Sequence, residues 1–476
     1  MAQARLQYLS EGEQSFIHEK TLEVLERVGV AYNTPLALDL LEEAGAEVDR
    51  ERLTARLRWE LIEPCLATVP RELLLAGREP RHDRVLGRDG LVATSDGMFT
   101  YVLDDLTGVR REGTQADLAR FTRLVDALPE LDTHWPSPQT SDVEADVMPL
   151  VMQATCLRNT SKHIQDEIRA PELVEPILAM YEAASGAPLA ERPVFSVTNC
   201  TVAPLQHDGA MTEASLKLAR RGVPIFILPM PQAGTTGPMT LLGTCIVHLA
   251  ELLSAVVLFQ LAQPGCPLVS GVGSAVAEMR SGGYIAAGPE IGLINLICLE
   301  MSRFYGMLTQ ATGISADAKA VNFQAGSEGG MTGLCAALAG ADSLVAAGGF
   351  DGVQATSLAK MVLDNDQVGA LRRYLRESPI DETTALMDDI LEVGIGGHFL
   401  GRRSTRAHAR DEVWRPAVFQ RGTFEEATGP GRSLLEQAVA RAEALLAAHE
   451  PLPLDEAAER ELDAIVAGWS ERLAGG

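Results

Sequence analysis

Short apolar runs alternate with amphipathic stretches through the middle of the chain. The runs at 98–103, 132–135, 163–166, 194–199, 224–229, 268–271, 307–312 and 343–347 each precede a stretch with helical periodicity. Apolar runs of this length, without strict polar alternation, are typical of parallel strands that are covered on both faces. Eight strand–helix units in succession predict an α/β fold, a (β/α)8 TIM barrel over residues 98–376.

The two flanking regions have a different pattern. Residues 1–97 predict an N-terminal helical region with short strands: helices over 10–29, 34–44 and 54–67, and strands at 73–75 and 91–94. Ser10 and Glu13 have the spacing of a capping box at the start of the first helix. Residues 377–476 predict a C-terminal helical extension packed on the barrel, which closes with helices over 431–449 and 455–473.

An open doubly wound sheet is the main alternative to a barrel. Such sheets commonly carry a GxGxxG loop after a strand, where the loop binds the pyrophosphate of a dinucleotide. The Gly-rich segments SGVGSAV and GGFDGV do not match that spacing. The pattern therefore favours closure into a barrel.

Composition narrows the class of protein further. A net charge of −25 disfavours binding to nucleic acid or to anionic membranes. The seven cysteines are scattered and form no CxxC pair, which indicates buried thiols in a reducing compartment. The first residues, MAQARLQYLSEGEQ, contain no apolar signal core. We expect a cytoplasmic enzyme.

The longest apolar run, at 241–261, approaches the length of a membrane span. His248 and Glu251 lie near its middle, and both would be costly inside a bilayer. We therefore predict a helix packed between the barrel and a partner subunit, and hence a homo-oligomer.

Familiar catalytic motifs do not occur in the sequence. It contains no GxSxG elbow, no phosphate-binding P-loop and no HExxH motif, and no His–Cys pair has zinc-ligand spacing. No side chain is therefore predicted to be a nucleophile, a general acid or base, or a metal ligand. Carboxylates and aromatic rings at the strand ends instead suit the positioning of a cationic substrate.

The candidate substrate-binding residues lie where strands end or where loops reach the barrel mouth. In each case an ordinary structural role, such as a helix cap or a turn that requires positive φ, is the alternative. Arg280, in a Gly-rich loop that resembles a lid, would hold a substrate carboxylate. The candidates are Gln165, Asp166, Glu167, Asn199, Arg280, Tyr284, Gln324, Glu328, Phe350, Asp351 and His398.

Several longer stretches resemble the trimethylamine methyltransferase family. They are EVLERVGV (23–30), RNTSKHI (158–164), PLQHDGAMTEASLKLARRGVPIFILPMPQAGTTGPMTLLG (204–243), GPEIGLINLICLEMSRFYG (288–306), DAKAVNFQAGSEGGMTGLCAALAGAD (317–342), SLAKMVLDNDQVG (357–369) and GIGGHFLGRRSTRAHARDEVWRPAVFQR (394–421). The resemblance covers nearly the whole chain and implies a (β/α)8 barrel. It also implies methyl transfer from a methylated amine to cobalt(I) of a partner corrinoid protein, with no cofactor tightly bound to this chain.

The founding members of that family carry pyrrolysine, which is thought to activate the amine, whereas this chain has only standard residues. It therefore resembles the branch that demethylates quaternary amines such as glycine betaine, and trimethylamine is in doubt as a substrate. A different barrel enzyme, such as a decarboxylase or lyase, stays open as an alternative. So does a quaternary-amine binding protein without transfer activity.

Overall fold

Eight parallel strands close into a barrel in the computed structural model, which describes residues 4–427 and 433–475. The strands are β1 (Val92–Ser95), β2 (Thr133–His134), β3 (His163–Asp166), β4 (Phe195–Cys200), β5 (Ile225–Leu228), β6 (Leu268–Val272), β7 (Leu308–Thr312) and β8 (Ser343–Ala347). Each strand pairs with the next, and β8 closes on β1 through Val345 and Thr94. The predicted (β/α)8 barrel is confirmed.

The barrel begins upstream of the strand that the sequence pattern placed first. The segment Val92–Ser95, expected to be a short strand outside the barrel, is β1 and is fully buried. Tyr101–Leu103 instead joins a small separate sheet with Arg110–Glu112 and Ala355–Thr356. The carboxyl end of β1 is polar although it is buried. The Ser95 hydroxyl is satisfied there because it accepts from the Trp135 backbone N–H at 2.9 Å.

Each of the eight strands is followed by a helix on the outside of the barrel, and the helix after β8 completes the outer ring. The helices are α1 (Gln115–Ala127), α2 (Met148–Asn159), α3 (Val174–Ser185), α4 (Gly209–Arg220), α5 (Leu241–Ala262), α6 (Pro289–Phe304), α7 (Phe323–Leu338) and α8 (Leu358–Leu375). Local sequence explains several starts: Thr114, Asp208 and Ser357 accept hydrogen bonds from the first-turn amides of α1, α4 and α8.

The N-terminal region contains three helices, Glu11–Arg27, Pro35–Glu43 and Trp59–Thr68, with five short strands. The capping box of Ser10 and Glu13 is present at the start of the first. The helix predicted over 54–67 begins only at Trp59, because Thr54–Arg56 pairs as a strand with Val30–Tyr32 and Glu47–Asp49. The five strands are Val30–Tyr32, Glu47–Asp49, Thr54–Arg56, Leu73–Leu75 and Arg84–Leu86.

Short elements decorate the loops around the barrel. They are the strands Gln206–His207, Gln232–Ala233, Ala275–Ala277, Tyr284–Ile285 and Gly349–Phe350, and the single 3₁₀ turns Pro80–His82 and Pro171–Leu173.

Helix α5 is long and apolar enough to cross a membrane by length and composition, yet 72% of its most apolar window is buried inside this chain. Helices Glu11–Arg27 and Trp59–Thr68 cover it from outside. Glu251, in its middle, accepts from the Leu205 backbone N–H at 2.7 Å and from the Thr201 hydroxyl. The expectation that a partner subunit covers α5 is wrong, because the N-terminal region of the same chain covers it.

The C-terminal region contains four short helices followed by two longer ones. They are Glu382–Ala385, Met387–Val393, Arg403–Glu412 and Phe424–Ala427, and then Leu434–Ala448 and Glu456–Gly475. The longer pair packs on the barrel, the first against α8 and α1 and the second against α3 and α2. The predicted helix start at residue 431 lies outside the described residues; the helix is seen from Leu434.

Candidate active site

A cavity of about 350 Å³ opens at the carboxyl ends of the barrel strands, where barrel enzymes hold their substrates. Most of its lining is apolar, with a few polar groups on the side of β1, β3 and β7. The lining residues are Asp96, Gly97, Met98, Trp135, Glu167, Arg169, Cys200, Met211, Leu228, Met230, Val272, Gly273, Tyr284, Gln310, Ala311, Thr312, Val345 and Val353.

The floor of the cavity is an amide pair that spans the barrel interior. Gln165 on β3 donates to the side-chain oxygen of Gln310 on β7 at 3.0 Å, and Gln310 donates back at 2.9 Å. Thr198 and Ser343 accept the remaining N–H bonds at 2.9 and 3.2 Å. Because each amide group is held at both ends, the floor is rigid and offers a fixed polar surface below the substrate.

Glu167, just beyond β3, is the best-defined anion of the cavity wall. Its Oε2 accepts from Nε and Nη2 of Arg169 at 2.9 and 2.8 Å. Its Oε1 accepts from the Cys200 thiol at 3.3 Å, and burial raises the pKa of that thiol, which keeps it protonated as a donor. The Glu167 side chain is only 7% exposed, so its charge faces the cavity with little solvent screening.

Trp135 follows β2 and forms the aromatic wall next to β1. A Cβ at Gly97 would lie 2.2 Å from the Trp135 Cδ1 atom, so only glycine lets the indole ring sit where it does. The indole Nε1 is buried and has no hydrogen-bond partner in the described structure. A buried, unpaired donor at a cavity wall costs free energy unless a ligand satisfies it.

Two side chains that line the cavity have positive φ although neither is glycine. Met98 has φ of 70° and Val353 has φ of 58°. The strain is greatest for Val353, because a β-branched residue rarely adopts this conformation. Strained backbone of this kind is concentrated at functional sites, which supports the cavity as the candidate active site.

Asp96, at the end of β1, is the second carboxyl group of the cavity. Its Oδ1 accepts from the Gly97 backbone N–H at 2.8 Å. Desolvation raises its pKa from 3.8 to about 7, against the lowering effect of that hydrogen bond and of Lys360. The charge of this cavity therefore changes within the physiological range of pH.

Of the residues expected from the sequence, Glu167 and Tyr284 line the cavity, and Gln165 lies directly beneath it. The Tyr284 hydroxyl donates to the Gly273 carbonyl at 3.0 Å, which fixes the ring across the loop after β6. These three were expected because parallel strands and their loops converge on one mouth, and the structure brings them together there.

Asp166 and Asn199 point away from the cavity into the surrounding helices. Gln153 of α2 donates to Asp166, and burial raises the pKa of that carboxyl to about 7. The Asn199 amide donates to the Ser215 hydroxyl of α4 at 2.9 Å. Side chains alternate in direction along a strand, so neighbours of a cavity residue face the helix layer instead.

Phe350 and Asp351 also lie outside the cavity. Phe350 is buried in a small cluster with Leu103 and Ala316. Asp351 has φ of 59°, and its carboxylate pairs with Lys319 at 2.7 Å and Arg110 at 3.2 Å. The turn with positive φ, considered as the structural alternative for this segment, is present.

The remaining candidates are placed farther out. Glu328 accepts from Gln324 at 2.7 Å and from the Asp317 backbone N–H at 2.8 Å, so this pair organises the loop after β7. Arg280 and His398 are exposed, and neither lines the cavity.

Sequence reasoning did not select Asp96, Gly97, Met98 or Arg169. The first three follow the true β1, and their role would have been visible if the first strand had been placed at 92–95. Within the described residues, no three His, Cys, Asp or Glu side chains converge as a metal-binding group.

The structure is a (β/α)8 barrel with a largely apolar cavity, bordered by buried carboxyl groups, at the carboxyl ends of its strands. Residues 2–473 match the trimethylamine methyltransferase (MTTB) family, and this chain belongs to that family of methyltransferases.

The chain is similar over most of its length to two relatives and one solved structure. Trimethylamine methyltransferase MttB of Desulfitobacterium hafniense is 30% identical over 454 residues, covering 94% of this chain and 91% of the relative. Glycine betaine methyltransferase of the same species is 30% identical over 465 residues, covering 96% of each. The crystal structure of monomethylamine methyltransferase from Methanosarcina barkeri matches with a TM-score of 0.53 at 10% identity, covering 98% of this chain and 88% of that one. The last similarity concerns the fold alone.

Proposed function

We propose that this enzyme transfers a methyl group from a quaternary amine of the glycine betaine type to cobalt(I) of a separate corrinoid protein. The observation that carries the proposal is the wall of the cavity, where two aromatic rings, Trp135 and Tyr284, accompany the buried carboxylate of Glu167. We place the reaction in the cytoplasm and assign the barrel as the catalytic unit.

This wall suits a methylated ammonium group. The nitrogen of a quaternary ammonium has no hydrogen to donate, so the cation is recognised by aromatic faces and by nearby negative charge. Each aromatic contact contributes about 0.5–2 kcal/mol, depending on desolvation. Met98, Met230 and Leu228 complete the surface with adaptable apolar contacts.

The same cavity has groups for a substrate carboxylate. Arg169 uses Nε and Nη2 for Glu167, which leaves its Nη1 edge for a second anion. The unpaired N–H of Trp135 is a further donor on the adjacent strand end. A betaine has a cationic end for the aromatic wall and Glu167, and an anionic end for these donors. Arg280, expected from the sequence to hold the carboxylate, is exposed outside the cavity.

A quaternary amine needs no acid catalyst at its nitrogen. Loss of one methyl group releases a neutral tertiary amine, so the leaving group needs no proton. The task of the chain is to orient one N–CH₃ bond towards the open mouth and to keep water out of the cavity. Reduced cobalt supplies the nucleophile, and its protein would approach at the mouth, where the cavity opens.

The absence of pyrrolysine from the sequence favours a quaternary amine over trimethylamine. Trimethylamine has no positive charge on nitrogen when it is unprotonated, and its departing group would be a poor one. The enzyme is therefore expected to discriminate by the charge state of the donor as well as by its shape.

The test is methyl transfer from a panel of methylated amines to cob(I)alamin and to a cognate corrinoid protein, followed by the loss of the reduced-cobalt absorbance. We expect transfer from glycine betaine or a related betaine, and a loss of at least tenfold in kcat/KM in Glu167→Gln. Asp166→Asn is the matched control, because this carboxyl group faces α2 rather than the cavity.

Two outcomes would contradict the proposal. No transfer and no binding with any methylated amine would indicate a different barrel chemistry, such as a decarboxylase or lyase. Tight betaine binding without turnover, in the presence of the corrinoid protein, would indicate a binding protein.

A further inference from the structure

The loop after β6 carries a two-stranded hairpin beside the cavity. Its strands are Ala275–Ala277 and Tyr284–Ile285, and we call residues 275–285 the hairpin. The first strand also pairs with Gln232–Ala233, whereas the second is the edge of this small sheet. An edge strand of two residues is weakly held by its hairpin partner alone, yet it carries Tyr284, one of the two aromatic rings of the cavity wall. The position of that ring therefore depends on what fixes the end of the edge strand.

Asp317, in the loop after β7, fixes that end. Its Oδ1 accepts from the backbone N–H of Ala286 at 2.8 Å, and its Oδ2 accepts from that of Ala287 at 3.1 Å. Both alanines are buried and directly follow the edge strand. Because each carboxylate oxygen binds one of two consecutive N–H groups, the contact holds the backbone in one orientation. It ties the root of the hairpin to a loop that follows the neighbouring barrel strand.

Glu328 of α7 holds Asp317 in turn. Its Oε2 accepts from the backbone N–H groups of Asp317 and Ala318 at 2.8 and 3.2 Å. Its Oε1 accepts from the Gln324 amide at 2.7 Å. The sequence singled out Gln324 and Glu328 as substrate-binding residues, and neither lines the cavity. Their hydrogen bonds instead lead through Asp317 to the strand that carries Tyr284.

A third loop closes over this contact. Gly352, after β8, has φ of 61°, and a Cβ there would lie 3.0 Å from the Tyr284 carbonyl oxygen and 3.6 Å from Asp317 Oδ1. Burial raises the pKa of Asp317, while the N–H groups of Ala286 and Ala287 lower it. Asp317 does not line the cavity, so it can influence a substrate only through the residues that it holds.

From these contacts we infer that Asp317 is a positioning residue, which sets the Tyr284 ring against the cationic end of the methyl donor. This rests on the proposed function for the nature of the donor, whereas the anchor itself can be measured without one. The positive charge on the donor nitrogen is lost as the methyl group leaves, so an aromatic face stabilises the bound donor more than the transition state. Displacement of Tyr284 should therefore raise KM and leave kcat nearly unchanged.

The test is the graded series Asp317→Asn and Asp317→Ala, with Asp351→Asn as the matched control. Asn keeps one acceptor oxygen and turns an NH₂ group towards the second backbone N–H, whereas Ala removes both acceptors. Because Asn has nearly the shape of Asp, it keeps the test decisive if the Ala variant fails to fold. Asp351 pairs with Lys319 and Arg110 rather than with the hairpin, and Asn tolerates its φ of 59°.

Two measurements need no substrate. Amide hydrogen exchange at Ala286 and Ala287 should be about tenfold faster in Asp317→Asn and faster still in Asp317→Ala. In protein labelled with fluorotyrosine, the ¹⁹F resonance of Tyr284, assigned by its loss in Tyr284→Phe, should shift or broaden in the same order. Asp351→Asn should match the wild type in both measurements.

Kinetics with glycine betaine and the corrinoid protein supply the third measurement. Asp317→Asn should raise KM about fivefold or more, with kcat within about twofold of the wild type. In a Tyr284→Ala background the same substitution should change KM no further, because the ring that Asp317 positions is absent. Glu328→Ala should act in the same direction as Asp317→Asn, and Glu328→Gln, which keeps an acceptor oxygen, should restore wild-type behaviour.

Unchanged amide exchange and an unchanged Tyr284 resonance in Asp317→Asn and Asp317→Ala would overturn the anchor. A fall in kcat at constant KM, or an effect on KM that persists without the Tyr284 ring, would overturn the positioning role. A wild-type protein that neither binds nor demethylates any methylated amine would overturn the proposed function, and the cationic donor with it. The exchange and fluorine measurements would still decide whether Asp317 holds Tyr284 in place.

Discussion

Asp96 is a site at which function and stability are expected to oppose each other. Its pKa is raised from 3.8 to about 7 because the carboxylate is desolvated beside the cavity. Between these two pH values the native state keeps the proton and the unfolded chain loses it, so ionisation destabilises the fold progressively as pH rises. At 1.36 kcal/mol per pKa unit, the full penalty above pH 7 is about 4 kcal/mol.

Asp96→Asn removes this penalty and keeps an oxygen that accepts from the Gly97 backbone N–H. The stability of the variant relative to wild type should therefore grow by about 3 kcal/mol between pH 5 and pH 8, and then level off. Urea denaturation of both proteins at several pH values measures this difference. A stability difference that does not vary with pH, or a loss of stability at pH 8, would refute the reasoning.

Substrate binding supplies the second measurement for the same variant. Above pH 7, Asp96→Asn removes a negative charge from the cavity wall, so the affinity for tetramethylammonium, a simple probe cation, should fall at pH 8 and change little at pH 5. Asp166→Asn is the control: burial raises the pKa of Asp166 to about 7 as well, but its carboxylate faces α2. That control should alter the pH dependence of stability and leave binding of the cation unchanged.

Three further substitutions test the packing and polar contacts around the barrel. Gly97→Ala should displace the Trp135 ring, because the new Cβ would lie 2.2 Å from Cδ1, and should weaken substrate binding at least tenfold in calorimetry; wild-type affinity would contradict this. Trp135→Phe should leave urea stability within about 1.5 kcal/mol, since its N–H has no partner, yet raise the KM for a betaine. Lys162→Met should lower the free energy of unfolding by about 3 kcal/mol or more. The Lys162 ammonium donates to the carbonyls of Val125, Leu128 and Leu131 at 2.7, 2.7 and 2.6 Å, and the substitution leaves all three without a donor. A loss below about 1 kcal/mol would argue against this role.

Much of the architecture was predictable because it depends on local pattern. Seven of the eight barrel strands lie within or overlap the apolar runs of the sequence, and caps such as Ser10 and Thr114 mark helix starts. A strand was predicted at 91–94 but was assigned to the N-terminal region, because the local pattern does not show which strand pairs into the barrel. Whether a polar strand end is buried depends on partners such as Trp135, which lies 40 residues away in the chain.

The candidate site was likewise predictable in part. Gln165, Glu167 and Tyr284 could be selected because strand ends in a parallel barrel must converge. The direction of each side chain could not be read from the sequence, so Asp166 and Asn199 were selected together with their neighbours. Only the fold shows that Asp351 lies outside the cavity, where it is paired with Lys319 and Arg110.

The sequence by itself determined the class of fold, the order of its elements and the family, because periodicity, capping and extended similarity are written along the chain. The tertiary structure decided which polar groups share one cavity, that Arg169 holds Glu167 and that the N-terminal helices cover α5. These are relations between residues far apart in the chain. Burial, charge pairing and the pKa of Asp96 all depend on such relations, because each depends on what the folded chain brings within a few ångströms.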